Sequence, residues 1–173
     1  MPLTTADKRA AFKKLHESGC FIIPNPFDAG SARALQHLGF KALASTSAGF
    51  AWTIAKADNR VTVDDVCDHL TAICAAVDIP VNADFEGGFA VEPEQVAINV
   101  ARGVKTGVAG LSIEDSTGDA ANVLFEHKLA VERIRAARKA IDADNSGALL
   151  TGRCAAFLWG KKDLNRSLIH IYE

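Results

Sequence analysis

Short apolar runs alternate along the chain with stretches whose apolar residues recur at helical spacing. Thr5 is placed to cap a first helix running through Leu15, with Phe12 and Leu15 on one face and Gly19 closing it. Cys20, Phe21, Ile22 and Ile23 read as a buried strand, stopped by Pro24, Asn25 and Pro26. Asp28 caps a helix over 29–38 that ends at Gly39. A second strand is expected over 42–46, then a long loop from Ser47 to Val61. Thr62 and Asp65 form a capping-box pattern that opens a helix reaching about Val77. The series repeats with a strand over 79–84, a helix opened by Pro93 and carrying Val96, Val100 and Val104, and a strand over 108–113. A helix over 128–141 and a fifth strand over 148–151 complete it. No linker or low-complexity segment interrupts the alternation, which predicts a single α/β domain with a parallel sheet under helices.

Two architectures compete, an open doubly wound sheet and a (β/α)₈ TIM-type barrel. The open sheet usually carries a Gly-rich phosphate loop after its first strand, and the stretch from Pro24 to Gly30 is not one. The barrel expects polar groups at the C-terminal ends of several strands, converging on one mouth. Such groups follow four of the predicted strands: Ser45, Thr46 and Ser47; Asn82 and Asp84; Glu114 and Asp115; and Arg153. The barrel is favoured. A complete one takes about 250 residues, so five visible strands predict an incomplete barrel.

Composition narrows the chemistry. The 173 residues hold 19 Lys and Arg against 21 Asp and Glu, a net charge of −2, which leaves no broad basic field for nucleic acid or an anionic membrane. No apolar run approaches the ~18 residues of a membrane span, and the first residues lack an apolar h-region, so a soluble cytoplasmic chain is expected. The four cysteines form no C-x-x-C pair and read as reduced, packed thiols, with Cys67 and Cys74 sharing one helical face. The five histidines are scattered singly and carry no ligand pattern.

Asp84 and Glu114 are oxygen donors with no His or Cys beside them, a set that suits Mg²⁺ rather than zinc. Arg153 offers a planar fork for an anionic substrate, and Ser47, Ala48 and Gly49 offer small residues and backbone N–H groups for a carboxylate. The competing reading is a set of solvated charges and a helix cap.

Five stretches occur in a family's order: residues 23–33, 46–50, 80–84, 110–115 and 151–153. Together they resemble the isocitrate lyase/phosphoenolpyruvate mutase family, especially its small bacterial phosphonomutase-like members, from about residue 10 to residue 166. The resemblance implies a barrel, Mg²⁺ or Mn²⁺, and making or breaking C–C or P–C bonds in small 2-oxo acid-related anions through an enolate-like intermediate. By position it implies Asp84 as the main metal carboxylate, Glu114 and Asp58 reaching the metal's water shell, and Ser47, Ala48, Gly49 and Arg153 binding substrate. Asp58 also reads as a turn residue, and Arg153 as a surface ion pair.

The departures are specific. The Lys-Lys-Cys-Gly-His loop of isocitrate and methylisocitrate lyases is missing, so their reaction is not expected. Asn82 and Ala155 stand where relatives carry acids, and no residue is identified as the general base. Asn122 reads as a loop residue that reaches substrate or as plain loop, and Glu86 as flexible backbone near the metal or as solvated. Family members continue through three more strands and assemble as homo-oligomers. Here residues 1–166 read as a partial barrel and 167–173 as an atypical tail, with a chain that neither assembles nor turns over alone. A catalytically inactive fragment is therefore the alternative function, and an open-sheet binder of a phosphorylated ligand a third.

Overall fold

The local capping chemistry is realised, and it sets the register of the helices. A computed structural model describes residues 2–161 and 163–164. In chain order the elements are α1 (Thr5–Leu15), α2 (Ala29–His37), β1 (Leu43–Ala44), α3 (Ser47–Thr53) and α4 (Val63–Ala76). Then come β2 (Val81–Asp84), α5 (Pro93–Lys105), β3 (Gly110–Glu114), α6 (His127–Ala143) and β4 (Leu149–Arg153). Thr4, one residue before the expected cap, closes a capping box with Asp7, and Asp28 does so with Ser31. Thr62 and Asp65 form the third, and Asp65 also binds Lys56 Nζ at 2.7 Å, which pins the turn carrying Asp58 onto α4.

The strands form one parallel sheet in the order β1-β2-β3-β4. Val81, Ala83, Leu111 and Ile113 are buried in it. Against them pack Val66, Leu70 and Ile73 of α4, Val96, Val100 and Val104 of α5, and Ile134, Ala137 and Ile141 of α6. Val96, Val100 and Val104 are the helical-period positions read from the sequence. Burial on this scale is the main favourable term in the fold, about 25 cal/mol per Å² of apolar surface.

Helix α1 lies across the N-terminal ends of the strands. Lys8 Nζ donates to the Cys74 and Val77 carbonyls at 2.9 and 2.5 Å. Arg9 donates to Val108, Ser146 and Val104 carbonyls at 3.0, 3.2 and 2.7 Å. Phe12 is buried with Ala42 and Ala109. It fits because Gly110 has no side chain: a Cβ there would stand 2.8 Å from Asn82 Oδ1 and 2.9 Å from Phe12 Cε1.

Three expectations are corrected. Residues 20–23 form no strand, and Ile22 and Ile23 are 72% and 36% exposed. Pro24 and Pro26 have no N–H to donate, and a single backbone bond, Ala44 N–H to the Pro24 carbonyl at 3.1 Å, ties this segment to β1. Cys20 is exposed rather than packed, whereas Cys74 is buried and Cys67 packs at the core's margin. The stretch expected as loop opens with α3, whose N-cap Thr46 accepts from Gly49 N–H at 3.2 Å. None of the described helices is long and apolar enough to cross a membrane. The expected tail 167–173 lies outside the described residues.

Candidate active site

Parallel pairing brings the C-terminal ends of the strands to one level, with Glu114 opposite Arg153 and Asp84 opposite Ser112. Asp84 and Arg153, 69 positions apart in sequence, meet there: Arg153 Nη1 lies 2.7 Å from Asp84 Oδ1. Its Nη2 stands 3.4 Å from Glu114 Oε2. Asp84 Oδ2 accepts from both the N–H and the hydroxyl of Ser47, each at 3.0 Å, and the Asp84 N–H donates to Ser45 Oγ at 2.8 Å. Three of the anticipated site residues therefore share one network, and Ser47 joins it through Asp84.

The other anticipated residues are placed differently. Gly49 N–H is engaged by Thr46, so this backbone stands in the first turn of α3 rather than in an open loop. Asp58 sits in an exposed turn, where Oδ1 accepts from the Asn59 N–H at 3.0 Å. Its charge still raises the pKa of Glu86 and Glu114. Asn122 donates to Asp119 within its own loop. The Ala155 N–H donates to Asp115 Oδ1 at 2.7 Å, so Asp115 anchors the chain leaving β4.

Glu86 is the residue that sequence reasoning undervalued. Rather than solvated, it is buried, with Oε1 finding no protein partner. Its carbonyl accepts from Glu114 N–H at 2.9 Å, which joins the two acids through the main chain. Burial pushes the Glu86 carboxyl up to about 8, and Asp58, Asp84 and Glu114 add to the rise. Burial also raises Glu114; Arg153 opposes this, while Asp84, Asp58 and Asp115 reinforce it. The signal available in sequence was the alternation Asp84-Phe85-Glu86 followed by two glycines.

The charges of Asp58, Asp84 and Glu114 thus act on the buried Glu86 while Arg153 pairs with Asp84 and Glu114, a local excess of negative charge in partly desolvated surroundings. Among the described residues no three acidic, His or Cys side chains close into a ready-made metal cage. Mg²⁺ needs none, because it keeps several waters and takes one or two carboxylates. The all-oxygen donors, the surplus charge and the orphaned Glu86 oxygen fit a hard divalent cation.

Two clefts flank the network. One of about 500 Å³ is lined by Phe12, Asn25, Ser45, Asn82, Asp84 and Arg153. The other, about 580 Å³, opens between Arg60, Glu86, Phe89, Thr117 and Phe125.

A family profile described as phosphoenolpyruvate phosphomutase matches residues 12–170. Two uncharacterized proteins of Mycobacterium tuberculosis are 32% identical over 130 residues, which is 75% of this chain and 48% of theirs. The chain thus spans about half the length of these curated relatives. A crystal structure of a Burkholderia cenocepacia lyase/mutase candidate superposes with a TM-score of 0.90 at 42% identity, over 96% of this chain and 60% of that one. The structure of 2,3-dimethylmalate lyase, itself a member of the PEP mutase/isocitrate lyase superfamily, gives 0.83 at 27% identity, over 98% and 59%. Phosphonopyruvate hydrolase, crystallised with oxalate and Mg²⁺, gives 0.85 at 20% identity, over 98% and 60%, a likeness of fold.

Proposed function

The chain belongs to the phosphoenolpyruvate phosphomutase family, and from that premise we propose that it carries the site of a metal-dependent lyase or mutase. Its substrate class is small 2-oxo acid-related anions, and the bond made or broken is C–C or P–C. The observation that supports this is the convergence of Asp84 and Glu114 on Arg153 at the strand ends, with the buried Glu86 in the field of Asp58, Asp84 and Glu114. We further propose that the four-stranded sheet is the part of a (β/α)₈ barrel that residues 1–166 supply, an incomplete barrel. Exposed apolar side chains flank both edges of that sheet, Ile22 beside β1 and Leu158 after β4. The setting is cytoplasmic and the partner a small anion. A homo-oligomer belongs to the full-length family.

In this reading Asp84 holds Mg²⁺ or Mn²⁺, and Glu114, Glu86 and Asp58 hold its water shell. The cation supplies charge that stabilises negative charge building on substrate oxygens. Ser47 fixes the orientation of Asp84 through two donors on one carboxylate oxygen. Arg153, whose side chain is 46% exposed, projects its fork into the cleft beside Asp84 and is the anion-binding group. The first turn of α3, with Ser47, Ala48 and Gly49, forms the wall against which a substrate carboxylate rests.

Calorimetric titration of the chain with Mg²⁺, Mn²⁺ and Zn²⁺, followed by oxalate as a minimal dianion, tests the proposal. Oxalate should bind only after Mg²⁺ or Mn²⁺, and Asp84→Ala should abolish both events. Tight Zn²⁺ binding without a Mg²⁺ response, or oxalate binding that survives chelator and Asp84→Ala, would overturn it. Binding that follows the expected pattern with no turnover of any 2-oxo acid-related substrate would favour the inactive reading.

A further inference from the structure

The segment that carries Glu86 is neither helix nor strand. Residues 86–91 form a strap between β2 and α5, and two non-glycine residues in it, Glu86 and Phe89, hold left-handed φ values of +46° and +57°. Such conformations persist only where surrounding contacts over-determine them. Here two side chains from the helices engage five consecutive carbonyls. Asn99 of α5 donates Nδ2 to Gly88 at 2.9 Å and Phe89 at 3.4 Å. Arg133 of α6 takes the rest: Nη1 donates to Ala90 and to Val91, the latter at 2.6 Å, and Nη2 donates to Gly87.

Arg133 is 1% exposed, the largest fully buried side chain among the described residues. Its guanidinium lies 3.8 Å from the centroid of Phe125, on the segment that follows β3. Gly87 makes room for it, since a Cβ there would stand 3.2 Å from Nη2 and 3.1 Å from the Ser116 carbonyl. A buried guanidinium is costly unless its donors are satisfied, and the strap's carbonyls satisfy them. The same bonds leave the strap little freedom, and Glu86 stands at its first position.

We propose that Arg133 is a positioning residue: by fastening the strap it fixes Glu86 among the carboxylates, so that divalent-cation affinity depends on a side chain remote from any cation. This rests on the reading of the carboxylates as a cation site. Arg133 acts on two strand-end segments at once, through carbonyls after β2 and through the Phe125 ring after β3. Lysine keeps the charge but has no planar fork to serve Gly87 and Ala90 together, so Arg133→Lys is not conservative here.

The test compares Mn²⁺ titrations of the unaltered chain, Arg133→Lys, Arg133→Met and Ile141→Val, the last a core change in the same helix. Hydrogen exchange is followed in parallel over 86–91 and over α5. Arg133→Lys and Arg133→Met should each weaken Mn²⁺ binding by about 10- to 100-fold, the range for supporting contacts at metal sites. Exchange should accelerate in 86–91 relative to α5. Ile141→Val should lower thermal stability while leaving Mn²⁺ affinity and strap protection unchanged. If an Arg133 variant fails to fold, Asn99→Ala, which frees the other two carbonyls, should give the same paired response. Unchanged Mn²⁺ affinity in folded variants overturns this inference and leaves the cation site standing. An unaltered chain that binds no Mn²⁺ overturns the cation site, and the inference with it.

Discussion

The two ends of the parallel sheet use charge in opposite ways. At the N-terminal end, Lys8 and Arg9 of α1 meet five backbone carbonyls, several in the last turns or just beyond α4 and α5. Cations placed there complement the helix dipoles and satisfy carbonyls that have no intrahelical partner. At the C-terminal end, burial and then the charges of Asp58, Asp84 and Glu114 raise the pKa of Glu86, Arg153 pairs with Asp84 and Glu114, and one buried oxygen of Glu86 has no protein partner. The first arrangement is complete within the protein. The second leaves a buried carboxyl oxygen unpartnered. Charge fully paired with backbone carbonyls and charge left partly unpaired are thus separated by the length of a strand.

The largest effect that would test this contrast is on stability at the closed end. Arg9→Met removes three charge-assisted bonds and should cost on the order of 3 kcal/mol, lowering Tm by about 6–10 °C. Thermal melts with and without Mg²⁺ should show the same loss in both. Rescue by Mg²⁺ would break the contrast.

At the open end, neutralising an acid should act in opposite directions on two readouts. Glu86→Gln should stabilise the chelated protein by about 1–2 kcal/mol, because a buried, unpartnered and repelled carboxyl is replaced by an isosteric amide. The same change should weaken Mn²⁺ binding by about tenfold, as seen by titration. Arg153→Met should be milder, costing about 1 kcal/mol in chelator because the ion pair is half-exposed. Millimolar Mg²⁺ should restore most of that loss in a melt.

The smallest effect concerns a group near neither end. His69 of α4 stacks on Phe50 of α3, with ring centroids 3.9 Å apart, and its Nε2 has no partner. Burial lowers its pKa from 6.5 to about 4, with Asp28 opposing. The unfolded chain takes up a proton near pH 6.5 that the folded chain refuses until near pH 4. The stability contributed by the neutral ring is therefore complete above 6.5 and lost as pH falls between those values. Discounted for the ring's partial exposure, the loss is at most about 1 kcal/mol. Denaturant midpoints at pH 7 and pH 5 should differ in the unaltered chain and converge in His69→Gln.

Features fixed by neighbours in sequence were legible. Thr62 with Asp65, Asp28 before its helix and Pro93 at the start of α5 each announce a boundary through chemistry confined to a few residues. The meeting of Asp84, Glu114 and Arg153 was legible too, since each follows an apolar run and parallel pairing stacks such ends together. Longer-range effects were not. Residues 20–23 carry the composition of a strand, but an apolar run has no period to show which partner it will find, and the prolines after it deny it a ladder. Helix α3 is too short for a period to register. Glu86, followed by two glycines, looks like a hydrated turn until Arg133, 47 positions later, takes hold of the carbonyls beyond it.

The missing side chain at Gly110 has a volumetric consequence. Phe12 enters where that side chain would be and closes, from beneath, the cleft whose upper rim holds Asp84 and Arg153. The depth of that cleft is therefore gauged by a single absent methyl. A Cβ at 110 would meet Asn82 Oδ1 at 2.8 Å, the Phe12 ring at 2.9 Å and the Leu149 carbonyl at 3.1 Å, so the Asn82 amide or the Phe12 ring must shift. A displaced Phe12 ring would deepen the cleft it lines with Asp84 and Arg153. The capacity of the cleft is thus set at the end of the strand farthest from Asp84 and Arg153.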